Sequence, residues 1–242
     1  MGGGVKLRDL YFDRVYTPVY DATVGRISPY RRLQENCVGK LPIQPGDSVL
    51  SLGVGTGNEV QRLCDVGPDG PFRLTAIDLS VPALKRAARK AGRLGLPMDV
   101  ARMDAHALGF QDAVFDKLIC VHTMDFLSDH AGASREALRV LKPGGAFVVT
   151  YPSGRGSRGL GKEVGKSAWA NARKGKLVAA VAEACAAAVA GAVYFPLALT
   201  LRPPQGFYTR ESLDELLSRL GCSNIQVEED PVYQDFIVSG RR

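Results

Sequence analysis

The feature that most constrains the fold is a glycine cluster, Gly53, Gly55 and Gly57, that directly follows an apolar run at 48–52. A short apolar run fits a buried strand, and a helix is expected from the cluster to about Cys64. Glycine lets the backbone turn sharply and leaves room for a ligand against the main chain. The cluster therefore predicts a strand–turn–helix unit, and a tight turn without a ligand is the alternative.

Apolar runs and helix-like segments alternate further along the chain. The runs expected to form strands lie at 72–77, 98–103, 115–121 and 146–151. Ser80 is expected to cap a helix from Val81 to about Gly92, and Gly144 to end the helix before the fifth strand. Strands that alternate with helices of this length favour a parallel sheet with right-handed crossovers.

The C-terminal part departs from this alternation. A helix at 211–220 is followed by two strand-like runs at 224–229 and 233–240, which favours a terminal antiparallel hairpin. The prediction is an α/β fold with a doubly wound, mostly parallel, seven-stranded Rossmann-like sheet. One domain is expected over 1–242, with a helical cap at 1–47, a core at 48–151, a basic and apolar helical insertion at 152–208 and a C-terminal helix and hairpin at 209–242.

Composition excludes several classes of protein. Apolar residues make up 45% of the 242 residues and charged residues 23%, which argues against global disorder. The net charge of +6 is too diffuse to indicate a nucleic-acid binder. The five cysteines form no CxxC pair, so neither a disulfide framework nor a metal site is expected, and a reducing cytoplasm is favoured. The first 16 residues hold no apolar run of the kind found in secretory signals.

Two aspartates stand where predicted strands end. Asp78 closes the second strand, 21 residues after Gly57, where a carboxylate can accept hydrogen bonds from both hydroxyls of a ribose. Asp104 closes the third strand, where it can reach an adenine amine. A solvated loop aspartate is the alternative for Asp78. A dinucleotide enzyme is disfavoured because Asn58 interrupts the GxGxxG fingerprint.

Together with the segment EALRVLKPGGAFVVT at 136–150 and the hairpin, these motifs resemble the class I S-adenosylmethionine (SAM)-dependent methyltransferases over about 48–150 and 209–240. The resemblance implies SAM as cofactor and S-adenosylhomocysteine as product. It implies a cofactor site with the glycines at the methionine part, Asp78 at the ribose, and Leu79 and Met103 on either face of the adenine. The implied cofactor-binding residues are Gly53, Gly55, Thr56, Gly57, Asp78, Leu79, Met103, Asp104, Ala105 and Val121.

One position departs from the family pattern. The family usually carries an acidic residue where this chain has Ser51, and that residue helps to hold the methionine ammonium group. Compensation by Glu59 or another acid is one interpretation. Altered handling of SAM is the other.

The catalytic residues are expected to be few, because methyl transfer depends mainly on holding acceptor, methyl and sulfur in line. His122, just past the fourth strand, is the first candidate for a general base, and Asp125 and Tyr20 are weaker candidates. The alternative is that His122 packs beside SAM or caps the following helix. His106 and His130 are expected at the surface.

The N-terminal segment resembles the cap of quinone C-methyltransferases and bacterial phospholipid N-methyltransferases, with Tyr20 and Asp21 matching a Tyr-Asp pair near the methyl-transfer site. The insertion begins with a basic stretch at 155–176 and continues into an apolar run at 177–201. Three interpretations of that run stay open. It forms a buried helix, or a pair of helices broken at Pro196, over the acceptor; it lies on a lipid surface; or it spans a bilayer.

These features predict an enzyme that methylates a small lipophilic acceptor, a prenylated quinone precursor or a phospholipid amine, with an anionic membrane surface as partner. Two alternatives remain, a methyltransferase of a soluble natural product and a SAM-binding protein without transferase activity. A nucleic-acid substrate is disfavoured because the motif (DN)PP(YFW) does not follow the fourth strand. The sequence does not define the oligomeric state.

Overall fold

The computed structural model describes residues 10–65, 70–153, 160–200, 207–232 and 235–242, with the backbone alone for 195–200. Seven strands in this part of the chain form one sheet in the order β3-β2-β1-β4-β5-β7-β6. The strands are β1 (Ser48–Leu52), β2 (Arg73–Asp78), β3 (Met98–Arg102), β4 (Phe115–Cys120), β5 (Leu141–Tyr151), β6 (Ser223–Glu229) and β7 (Phe236–Arg241). The first five are parallel, and β7 runs antiparallel to both β5 and β6, which confirms the predicted fold class.

Helices pack around this sheet. The main helices are α1 (Ser28–Gly39), α2 (Asn58–Asp65), α3 (Val81–Leu94), α4 (His130–Val140), α5 (Leu160–Arg173), α6 (Leu177–Thr200) and α7 (Arg210–Arg219). Before α1, the N-terminal segment is π-helical over Phe12–Tyr16 and α-helical over Thr17–Tyr20. Ser80 caps α3 as expected, since its hydroxyl accepts a hydrogen bond from the Ala83 N–H at 3.2 Å.

The sheet is buried on both faces, as alternate residues of its central strands show. On β1 and β4, Leu50 and Leu118 belong to one apolar cluster, whereas Val49 and Ile119 belong to another. Parallel strands covered by helices on both sides carry such continuous apolar runs. The strand order reverses between β1 and β4, and ligands bind at that crevice in open α/β sheets. The loops after these two strands are therefore where the fold positions a site.

One sequence prediction about an element boundary was wrong. Gly144 does not end a helix: α4 ends at Val140, and Leu141 already pairs with Phe115 as the first residue of β5. The register then shifts, so that Gly144, with φ +76°, lies in an irregular stretch inside β5. The glycine at this position is typical of a helix end, which is what the sequence predicted. Pairing with β4, which is distant in sequence, instead makes the position part of a strand.

The sequence left open whether the apolar insertion forms one helix or a pair broken at Pro196. The backbone of α6 is helical without interruption over Leu177–Thr200. A proline four residues before a helix end removes one hydrogen-bond donor, and a helix of this length keeps its other hydrogen bonds. Nor is this helix a core helix, because 22% of the segment Leu177–Tyr194 is buried. That segment has a mean hydropathy of 1.9 and is long and apolar enough to cross a membrane.

Candidate active site

The glycine loop after β1 adopts a backbone that only glycine takes readily. Gly53, Gly55 and Gly57 have φ values of +74°, +53° and +77°. A Cβ on Gly53 would lie 2.1 Å from Oγ1 of Thr123, and one on Gly57 would lie 2.9 Å from the backbone of Ala87. A Cβ on Gly55 would meet nothing within 4 Å. The loop is thus packed tightly at its two ends and faces open space at its middle.

Asp78 lies beside this loop at the end of β2. Its Oδ2 accepts a hydrogen bond from the Gly55 N–H and its Oδ1 from the Ser80 N–H, each at 2.8 Å. Burial raises the pKa of this carboxyl, and the two backbone hydrogen bonds oppose that shift. The hydroxyl of Ser80 in turn donates to Asp13 of the N-terminal segment at 2.5 Å. Each oxygen of Asp78 keeps a second lone pair that a ribose hydroxyl can use.

The residues predicted at the adenine follow β2 and β3. Leu79 is 56% exposed, so an apolar side chain lies open to solvent directly after Asp78. The Met103 N–H donates to the backbone oxygen of Asp78 at 3.3 Å, which joins the ends of the two strands. Asp104 remains accessible and accepts a hydrogen bond from the His106 N–H at 2.9 Å, which lowers the pKa of its carboxyl. Ala105 is buried next to it.

Glu59 supplies an acid next to Ser51. Both side chains are buried, and the Ser51 hydroxyl donates to Oε1 of Glu59 at 2.9 Å. Burial raises the pKa of Glu59 to about 7, even though the hydrogen bond from Ser51 favours the ionised form. An acidic group thus reaches this position from the first turn of α2, in agreement with the compensation interpretation.

His122, in the loop after β4, is held by two carboxylates. Its backbone is left-handed, with φ +55°, and its N–H donates to Oγ1 of Thr150 at 2.7 Å. The ring Nδ1 lies 3.2 Å from Oδ2 of Asp125 and 3.2 Å from Oδ2 of Asp235. Burial disfavours a charged imidazole, but the hydrogen bonds to the two aspartates outweigh it and raise the pKa of His122 to about 10.

This geometry argues against the general-base role expected for His122. An imidazole with a pKa of about 10 is protonated at neutral pH, and a protonated ring cannot accept a proton. The remaining acceptors are the carboxylates of Asp125 and Asp235. Burial raises the pKa of Asp235, and His122 opposes that shift. The three side chains have ligand atoms within 4.8 Å of one another, a donor set that a divalent cation could also use.

Sequence reasoning did not find Asp235. It precedes β7, 113 positions after His122, and no local motif surrounds it. The antiparallel insertion of β7 beside β5 brings it to the loop after β4. The sequence shows only a lone carboxylate at the start of a predicted strand. That signal does not indicate a site unless the pairing of β7 with β5 is known.

Aromatic side chains from the N-terminal segment and α1 cover His122. Tyr30 stacks on the His122 ring at 5.8 Å with an interplanar angle of 22°, and the Tyr20 hydroxyl donates to the Tyr30 hydroxyl at 2.6 Å. Tyr16 lies 5.1 Å from Tyr20 and 6.2 Å from Tyr194 of α6. We call these four tyrosines the aromatic wall. Tyr20 was predicted at the site, whereas Tyr30 and Tyr194 were not.

Asp21 ties the N-terminal segment to the glycine loop. Its Oδ1 accepts hydrogen bonds from Oγ1 of Thr56 at 2.6 Å and from Nζ of Lys90 at 2.7 Å. Thr56 was predicted to contact the cofactor, and in the structure its hydroxyl binds Asp21 of the N-terminal segment.

Val121 is half-buried in the loop after β4. Thr123 lies in the same loop, and its hydroxyl donates to the backbone oxygen of Leu52 at 3.1 Å. The loops after β1 and β4 are thereby joined.

The two other histidines lie elsewhere. His106 is half-buried beside Asp104, with its Nδ1 2.7 Å from the carboxylate. The surface prediction for His130 was wrong, because this side chain is completely buried. It begins α4 on the inward face, and its Nε2 lies 2.8 Å from the backbone oxygen of Met124. Its ring also contacts Tyr208 at 5.4 Å.

Comparison with known proteins agrees with this architecture. Residues 50–149 match the family model of a methyltransferase domain. A demethylmenaquinone methyltransferase of Renibacterium salmoninarum is 34% identical over 143 residues, which cover 57% of this chain and 55% of the relative. The chain thus spans about half the length of this curated relative.

Solved structures match over nearly the whole chain. A protein of Methanococcus maripaludis assigned to the SAM-dependent methyltransferases has a TM-score of 0.62 at 17% identity, covering 100% of this chain and 97% of that one. Phosphoethanolamine N-methyltransferase 2 of Haemonchus contortus, in complex with SAM, has a TM-score of 0.62 at 19% identity, covering 95% of this chain and 47% of that one.

The family match covers residues 50–149 of the 242-residue chain, and this segment resembles a methyltransferase domain. The solved structures, at 17% and 19% identity, show that the chain shares their fold. The sequence is similar to quinone methyltransferases.

Proposed function

We propose that the protein transfers a methyl group from SAM to a lipophilic aromatic acceptor such as a prenylated quinone precursor. The observation that carries the proposal is the meeting of two groups at the carboxyl edge of the sheet. One is the glycine loop with Asp78, and the other is the acid pair with His122 under the aromatic wall. Similarity to a demethylmenaquinone methyltransferase supports the same class of acceptor.

The residues at this edge fit SAM. The open space over Gly55 leaves room for a ligand against the backbone, and exposed Leu79 offers an apolar surface to the adenine. Asp78 would hold the ribose hydroxyls, with Met103 and Asp104 at the adenine. When bound, SAM supplies an electrophilic methyl group on a positively charged sulfur.

The chain's own contribution is placement and proton acceptance. The aromatic wall orients a planar ring and excludes water, and placement alone is worth up to about 7–11 kcal/mol in well-oriented systems. Asp125 or Asp235 accepts the proton that an acceptor hydroxyl or ring carbon loses on methylation. Protonated His122 keeps these two carboxylates together, since without it their like charges repel each other.

One labelling experiment tests the proposed acceptor against the other acceptor classes. Purified protein is incubated with methyl-labelled SAM and, in separate arms, a prenylated hydroquinone, phosphatidylethanolamine vesicles or a water-soluble dihydroxybenzene. We expect label in the prenylated ring. Label confined to the lipid amine or to the aqueous arm would replace the proposed acceptor with a phospholipid or a soluble natural product. Binding of SAM without label in any arm would support a SAM-binding protein.

A variant pair tests the cofactor site. Asp78→Ala removes the carboxylate proposed for the ribose, so we expect calorimetry to show at least a tenfold loss of affinity for S-adenosylhomocysteine. Asp99→Ala is the matched control, because Asp99 is an exposed aspartate on neighbouring β3. Equal affinities of the two variants would contradict the assignment of Asp78.

A further inference from the structure

The outward face of α6 carries no charge in the segment Leu177–Tyr194, whose side chains the structure describes. Its exposed valines are Val178, Val181 and Val189, which are 85%, 62% and 46% accessible, and Leu177 is 64% accessible. At 1.5 Å per residue these 18 positions extend about 27 Å. Monomeric soluble proteins rarely expose apolar patches of this extent without a partner.

The single acid of this segment, Glu183, points inward. It is 4% exposed, and its Oε1 accepts a hydrogen bond from the Ser28 N–H at 2.8 Å. Its Oε2 accepts from the Ser167 hydroxyl at 2.8 Å and from Nδ2 of Asn171 at 3.4 Å. Glu183 therefore fastens α6 to α1 and α5. The same contacts oppose a membrane-spanning position, because they hold one side of the helix against the protein.

Cations flank the apolar face. Arg173, Lys174 and Lys176 are all exposed and directly precede α6. Trp169 of α5 is 62% exposed, with the Arg173 guanidinium 4.7 Å above its ring. A helix with an apolar face, a basic flank and an exposed tryptophan is typical of proteins that lie in the interface of an anionic membrane.

The far end of this segment reaches the candidate active site. The Tyr11 hydroxyl donates to the backbone oxygen of Val193 at 2.9 Å, and Tyr194 belongs to the aromatic wall. Burial raises the pKa of Tyr194 to about 12, and the charges of Asp125 and Asp235 add to that shift. One helix thus joins an exposed apolar face to a residue of the aromatic wall.

We propose that the outward face of α6 lies on the surface of an anionic membrane, with its axis in the plane of the interface and the basic residues 173–176 at the lipid headgroups. A second copy of the chain is the competing occupant, but the adjacent cations favour anionic lipid over an identical basic surface. The inference extends the proposed function, since a lipophilic acceptor resides in the membrane that α6 would contact.

Flotation with vesicles tests the inference without any turnover. The full chain is mixed at low salt with vesicles of phosphatidylglycerol and phosphatidylcholine, or of phosphatidylcholine alone. We expect binding to the anionic vesicles, at least tenfold weaker binding to the neutral ones, and loss of binding at high salt. Val181→Asp should weaken binding at least tenfold. Val100→Asp is the matched control, since Val100 is exposed at 42% on β3, away from α6.

The possible results separate this inference from the proposed function. Affinity for S-adenosylhomocysteine, unchanged in both variants, shows that they fold. The inference is overturned if the unaltered chain stays with the supernatant, if Val181→Asp floats like Val100→Asp, or if sedimentation velocity shows a dimer that Val181→Asp dissociates. Methyl transfer in detergent solution would still support the proposed function in each of these cases.

Discussion

At the scale of single residues, the charge of His122 depends on its two neighbours. One ring nitrogen faces two half-buried carboxylates, and their combined attraction exceeds the cost of burying a cation. A histidine chosen from its reference pKa near neutrality thus has its pKa raised to about 10, which favours the protonated form at physiological pH. The sequence could supply the residue type and its place after β4. It could not supply the second carboxylate, which lies just before β7, 113 positions later in the sequence.

Replacing Asp235 by Asn should lower the pKa of His122 from about 10 toward its ordinary value near 6.5, because one of the two charges that raise it is removed. NMR titration of the imidazole signals measures this directly. The signals of His130 serve as an internal control, since its ring lies against Met124 and Tyr208 instead.

The same shift has a consequence for stability. A folded-state pKa above the unfolded value gives stability that is fully present below pH 6.5 and is lost as the pH rises through about 10. The difference in unfolding free energy between the unaltered chain and His122→Gln should therefore shrink over that window. If the His122 imidazole of the unaltered chain titrated near pH 6.5, this would contradict its interaction with Asp125 and Asp235.

At the scale of elements, the strands agree well with the sequence. The apolar run 48–52 is β1 without a change of boundary, and the predicted second to fourth strands shift by about one residue at an end. Buried parallel strands give strong local signals, because each consists of apolar residues followed by a turn. The start of β5 was missed because it depends on pairing with β4 that no local window contains.

Alanine variants of three glycines distinguish the effect of backbone strain on stability from the effect of a Cβ on ligand binding. Gly53→Ala, Gly55→Ala and Gly95→Ala each place a side chain at positive φ, which costs about 1–3 kcal/mol. Gly53→Ala should be the least stable, because its Cβ also meets Thr123. Gly55→Ala should fold but bind S-adenosylhomocysteine at least tenfold more weakly, since its Cβ enters the proposed cofactor space.

Gly95→Ala is the matched control for this series. Its φ is +68°, its Cβ would meet nothing within 4 Å, and it lies after α3 rather than at the site. Urea unfolding and calorimetry measure stability and affinity for all three variants. If Gly95→Ala and Gly55→Ala had the same affinity, the space over the glycine loop would not be the cofactor site.

At the scale of the whole molecule, the site joins parts of the chain that are far apart in sequence. The proposed cofactor edge lies within the continuous stretch 48–105, whose motifs the sequence revealed. The proposed acceptor side combines Tyr20, His122, Tyr194 and Asp235, and only the first two could be named in advance. Their assembly requires the N-terminal segment, α6 and β7 to pack around the loop after β4, and this arrangement is a property of the complete fold.

S-adenosylhomocysteine should stabilise the folded protein, whereas a dinucleotide should not. S-adenosylhomocysteine at 100 times its Kd should raise the unfolding free energy by about 2.7 kcal/mol. For a chain of this size the melting temperature then rises by roughly 5–10 °C. NAD at the same concentration is the control and should cause no rise, because Asn58 interrupts the dinucleotide fingerprint. Equal stabilisation by the two compounds would contradict a SAM site.

Asp235 reaches the site only when β7, which follows the other six strands in sequence, pairs with β5. The ribosome delivers the glycine loop and Asp78 early, whereas Asp235 emerges more than 150 residues later. A chain in which β7 has not yet joined the sheet has the glycine loop and Asp78 but lacks the second carboxylate beside His122. The two-carboxylate arrangement around His122 is therefore complete only after the antiparallel pairing of β7 with β5.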